Sequence, residues 1–140
     1  MEDRQESHQI EGGLGHHALT ISIQNRSLSS CTLRGVPAIT LLDANGHALS
    51  TPVCANCQNY LFSKHSVEEV LLRPKESAYL FIEYDINDGD GRSPCRETKA
   101  ISIHLPGQRS SRRVDVSDMQ SCGAIYTSPF LSEPLPNHDQ

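Results

Sequence analysis

The chain has 140 residues, enough for one domain with its own core and too few for two of ordinary size. Net charge is -5 with the histidines neutral, and the one basic cluster, Arg109, Arg112 and Arg113, is followed at once by Asp115 and Asp118. That balance excludes phosphate-backbone binding as the expected activity, and no run approaches the ~18 apolar residues of a membrane-spanning helix.

Along the chain, period-two alternation recurs with turn signals between the runs, and helical periodicity is missing. Residues 1–16 are polar and are expected to form a flexible leading segment. They lack the apolar stretch of a signal peptide, so a signal is expected to have been removed. In residues 18–24, Leu19, Ile21 and Ile23 share one face, as in a half-buried strand. A turn follows. Asn25-Arg26-Ser27 matches a glycosylation pattern to which no role is assigned. Cys31, Thr32 and Leu33 form a short strand, and residues 38–42 another. Asp43-Ala44-Asn45-Gly46 signals a hairpin whose return strand is His47, Ala48 and Leu49.

Residues 51–65 are read as irregular. Val67, Val70, Leu71 and Leu72 precede Pro74, and Ser77 to Asp85 is apolar on both faces, as a central strand is. Residues 86–98 read as a polar loop, while 99–105 alternate with Ile101, Ile103 and Leu105 on one face. Two last strands are expected at 112–117 and 122–127, and 131–140 as a flexible tail. About eight short strands in one domain, 17–130, imply an all-β, two-layer antiparallel β-sandwich. Its expected core is Leu19, Ile21, Ile23, Ile39, Leu41, Leu80, Ile82, Ile101 and Ile103.

Five cysteines, an odd number, favour an oxidising compartment outside the cell and permit two internal bridges. Cys95 ends the acidic loop and Cys122 opens the last strand, which places them near one end of the fold and makes a bridge between them feasible. Cys54 and Cys57 are close enough to pair with each other, leaving Cys31 as a buried, inert thiol. The competing pattern joins Cys31 to Cys54 or Cys57.

Several constellations carry residue types suited to chemistry. Cys54-Ala55-Asn56-Cys57 has the spacing of a redox pair or of half a zinc site. No amphipathic helix supplies the dipole that redox work needs, and His47 and His65 stand at no recognised ligand spacing, so a structural loop or local disulfide is the expected role. Asp85-Ile86-Asn87-Asp88-Gly89-Asp90-Gly91 departs from a calcium loop, because Gly89 and Asp90 hold the places of an oxygen ligand and a glycine. His16 and His17 are expected to meet metal only adventitiously, and His104 to be an exposed imidazole. Neither Gly-x-Ser-x-Gly nor His-Glu-x-x-His occurs.

Taken in order, these segments resemble a known bacterial family. The resemblance rests on Gly13-Leu14-Gly15-His16 before the first strand, Cys31-Thr32-Leu33-Arg34-Gly35-Val36-Pro37, Leu41-Leu42-Asp43, Leu72-Arg73-Pro74-Lys75-Glu76-Ser77-Ala78 and the late Cys122-Gly123. The most specific of these is the stretch at 31–37. The order is similar to that of the domain of unknown function 4232 found in exported and lipoprotein-type proteins, over residues 12–130. The resemblance implies an immunoglobulin-like sandwich and an envelope or extracellular location, and it implies no activity. Cys31, Cys95 and Cys122 fit the family pattern; Cys54 and Cys57 are additions to it. The expectation is therefore a non-catalytic binding or structural module with no cofactor, acting on a protein or envelope ligand, secreted or periplasmic. The alternative is a metal-binding or redox accessory protein using Cys54 and Cys57.

Overall fold

The computed structural model describes residues 3–11, 16–57, 66–85, 95–105 and 111–133. Nine strands occur among them and no helix, hence none long and apolar enough to cross a membrane. They are β1 (Asp3–Glu11), β2 (His16–Asn25), β3 (Cys31–Arg34), β4 (Ala38–Leu42), β5 (Val53–Ala55), β6 (Glu69–Leu72), β7 (Ser77–Asp85), β8 (Cys95–His104) and β9 (Ser111–Thr127). One sheet runs in the order β1-β2-β7-β9-β8-β4, with β5 also on β9, and β3 pairs with β6 in a second. Every pairing is antiparallel except that of β5 with β9. The all-β antiparallel architecture follows from the period-two runs.

Both sheets close on one core. Leu33 of β3 and Val70 and Leu72 of β6 meet Leu19, Ile21 and Ile23 of β2, Leu80 and Ile82 of β7, and Ile101 and Ile103 of β8. All nine expected core residues are buried. In β2 the polar residues between the apolar ones face away from that core, which is why a strand rather than a helix forms from this pattern. β7 lies between β2 and β9 and is covered on both faces: Leu80 and Ile82 face the core, and Phe81 and Glu83 are buried on the other side. At the end of the domain, Phe130 enters the core and Leu131 exchanges backbone hydrogen bonds with Tyr79 at 2.8 and 2.9 Å.

The structure departs from the sequence reading in several places. The strands expected at 112–117 and 122–127 are one strand, β9. The apolar positions step from Val114 and Val116 to Met119, an odd interval that looks like a break. It is a bulge: Thr98 faces Met119 and Ala100 faces Asp115, so two residues of β8 span four of β9. A second irregularity sits where Glu83 faces Tyr126 and Asp85 faces Cys122, beside Gly123 at φ 74°. β8 begins at Cys95, inside the expected polar loop. Residues 53–55, expected to be irregular, form β5. The return strand after the hairpin shrinks to one bridge, Leu42 with Ala48.

The segment 1–16, set outside the domain by its polarity, contributes β1, whose backbone pairs with β2 from Asp3 opposite Asn25 to Glu11 opposite His17. An edge strand needs backbone hydrogen bonds and no apolar face, so composition alone does not reveal it.

Asn25, at the end of β2, is wholly buried. Its Nδ2 donates to the carbonyls of Ser29 and Leu72, both at 2.9 Å, and its Oδ1 accepts from Ser27 N at 3.0 Å and Ser27 Oγ at 2.7 Å. Its backbone holds the turn between β6 and β7, accepting from Lys75 N at 2.7 Å and donating to Glu76 O at 2.8 Å. The glycosylation-like triplet is thus used as an internal clamp.

Candidate functional site

The cysteines form two bridges, Cys54–Cys57 and Cys95–Cys122, and Cys31 is free and half-buried on β3 rather than fully buried. Cys95 and Cys122 face each other directly across β8 and β9, with Cα atoms 4.0 Å apart. Opposed residues of an antiparallel pair come this close at the non-hydrogen-bonded positions, so the register itself brings the two thiols together.

Cys54 stands opposite Tyr126, which stands opposite Glu83 on the next strand. Cys57 and Asn56 line a small void with Phe81, Glu83, Thr127 and Ser128. The Cys54–Cys57 ring therefore holds the chain leaving β5 against the buried outer face of β7.

The remaining sequence candidates are dispersed. His17 lies beside Tyr84, ring centroids 5.6 Å apart, and burial pushes the Tyr84 phenol up. His104 is half-buried rather than exposed, with Nδ1 at 3.4 Å from Ser111 Oγ. The His47 backbone N–H donates to Asp43 Oδ1. Arg113 forms an exposed ion pair with Asp115 at 3.1 Å. Arg109, His65 and residues 86–91 of the acidic motif lie outside the described residues. Among the described residues no group of three or more His, Cys, Asp or Glu is placed to hold a metal ion.

A cleft of about 350 Å³ opens among the described residues at the point where β9 changes partners. Along one edge of β9, β8 pairs as far as Cys122 and β5 begins at Ile125. Residues 50–52, Arg96 of β8, and Ser121, Gly123 and Ala124 of β9 line the cleft. The Ile125 N–H donates to the Pro52 carbonyl at 2.9 Å, which anchors residues 50–52 to β9. Arg96 and Ser121 are cross-strand partners immediately next to the Cys95–Cys122 pair. Since successive residues alternate faces, they stand on the opposite face from the bridge, which locks their register.

The polar groups here are incompletely used. Ser121 is 3% exposed, yet its Oγ has no hydrogen-bond partner among the described residues. Thr98, on the same face as Arg96 and two pairs further in, is fully buried with its Oγ1 in the same condition. Arg96 is exposed, and among the described residues no carboxylate pairs with it; the neighbouring Glu97 is taken by Lys99 at 3.1 Å. Buried hydroxyls without partners are rare because each loses its hydration, so two on neighbouring pairs of one face mark this end of β8. Sequence reasoning missed Arg96, Thr98 and Ser121 because none carries a motif and the first two fall in a stretch read as loop.

Comparison with curated proteins and with solved structures found no match. The family described as a domain of unknown function (DUF4232) matches residues 4–130, which takes in all of β2 to β9, β1 but for Asp3, and the cleft. With nearly its whole length covered, the chain belongs to the DUF4232 family.

Proposed function

We propose that this domain is a non-catalytic recognition module of an exported or envelope-bound bacterial protein, built as an immunoglobulin-like sandwich. It presents the cleft between β5, β8 and β9 to a ligand outside the cytosol. The observation that supports the reading best is the Cys95–Cys122 bridge, which sits beside the cleft and persists only in an oxidising compartment. A cleft on a braced sheet binds with little reorganisation, and it needs neither nucleophile nor cofactor.

The test is fractionation of cells producing the natural protein, combined with thiol labelling before and after reduction. The expected result is protein in the envelope or medium with four cysteines blocked until reduction. Cytosolic protein with Cys95 and Cys122 labelled as free thiols would overturn the reading. Stoichiometric zinc in protein purified without chelators would replace it with the metal-binding alternative at Cys54 and Cys57.

A further inference from the structure

We infer that the cleft between β5, β8 and β9 is a carboxylate-binding site, with the Arg96 guanidinium and the Ser121 hydroxyl as its two recognition groups. The inference names the ligand class of the recognition site proposed above, and its test in purified protein does not depend on where the chain resides.

Arg96 offers a planar fork of N–H donors that matches a carboxylate in two parallel hydrogen bonds. Its charge is not neutralised by a carboxylate among the described residues, because Glu97 points to the other face and pairs with Lys99. Ser121, directly opposite on β9, supplies a buried hydroxyl whose hydrogen has no acceptor among the described residues. An acceptor oxygen held by Arg96 is the group that would satisfy it. One guanidinium balances a monoanion, and a chain of net charge -5 disfavours a polyanion, so a carboxylate suits the site better than a phosphate. The volume of about 350 Å³ exceeds that of a lone carboxylate and leaves space for a body of a few residues' size. Ser50, Thr51, Gly123 and Ala124 also line that space, and each carries hydrogen-bonding groups. The site is therefore shaped for an acid that carries further polar groups, such as the end of a peptide chain.

The experiment is an NMR titration of the oxidised, isotope-labelled full chain. Its probes are N-acetyl-Gly-Gly-Ala with a free C-terminus, the same peptide amidated, sodium acetate and inorganic phosphate. Expected are shifts of the Arg96, Ser121, Gly123 and Ala124 amides with the free acid, and at least tenfold weaker binding of the amide. Acetate binding as tightly as the peptide assigns the site to small free acids; much weaker acetate binding assigns it to chain ends. Both outcomes uphold the carboxylate. R96Q should weaken binding at least tenfold and R96K severalfold, since Lys keeps the charge and loses the fork. Arg96 is exposed, so a dispersed spectrum of R96Q is expected to show the fold intact. S121A should weaken binding about fivefold. Equal binding of acid and amide, tighter binding of phosphate, unchanged binding in R96Q, or no probe shifting these amides would each overturn the inference.

Discussion

Two buried polar regions of this protein differ in how completely their hydrogen bonds are met. At the end of β2, Asn25 uses both donors and its side-chain oxygen, and ties β2 to the turn after it and to the β6–β7 turn. At the start of β8, Thr98 and Ser121 leave their hydroxyls without partners, and Arg96 opens onto a cleft. A satisfied polar group in the interior specifies structure, because any other arrangement forfeits its bonds. An unsatisfied one beside a cavity costs stability that a ligand is able to restore. The first region reads as architecture and the second as a site.

Mutation distinguishes the two regions. The scale is set by Leu80→Ala, a purely apolar truncation on the central strand, which should cost roughly 2–5 kcal/mol by denaturant unfolding. Replacing both Cys95 and Cys122 by Ala should cost about 3.5 kcal/mol in the chain-entropy model and should also weaken probe binding, because it frees the register that aligns Arg96 with Ser121. A double variant that loses stability and keeps full binding would separate the bridge from the site. Asn25→Ala leaves the Ser29 and Leu72 carbonyls without their donor and should destabilise by about 2–3 kcal/mol. Ser121→Ala and Thr98→Val remove hydroxyls that have no partners, and should be within about 0.5 kcal/mol of neutral or stabilising. Were either to cost as much as Asn25→Ala, the two regions would be of one kind.

The smallest effect is expected at Asp43, whose Oδ1 accepts from the backbone N–H of His47 and of Asn45, each at 2.9 Å. The His47 hydrogen bond is the main cause holding its carboxyl below the usual aspartate range, with the Asn45 bond and the His47 charge adding to it. A carboxyl with a lowered folded value contributes stability above its unfolded value and loses it as pH falls through the folded one. The turn should therefore loosen only in strong acid, below the ordinary aspartate range. Amide shifts of Asn45 and His47 followed on acidification should report this, and should move at no such pH in Asp43→Ala. An exposed polar group that is satisfied shows how little such bonds contribute when water competes for them.

Much of the fold was legible because it rests on local periodicity. Alternation in residues 18–24 and 99–105, the unbroken apolar run of β7 and the Asp43-to-Gly46 turn are properties of neighbouring residues, and each produced the element it implies. The Cys95–Cys122 bridge was expected from two cysteines at strand ends, yet Cys122 lies within β9, and it is the register of β8 on β9 that sets it opposite Cys95. The tertiary structure decided the rest. A bulge shifts the apolar phase of β9 and so imitates a turn, and only its pairing with β8 and β7 shows the strand to be continuous. The strand β1 has no apolar face to announce it. The cleft depends on the register of β8 on β9 and on β5 taking over the same edge, which places Arg96 beside Ser121 across 25 residues of sequence. Register is settled by the summed burial of a whole sheet, and no short stretch of sequence contains that sum.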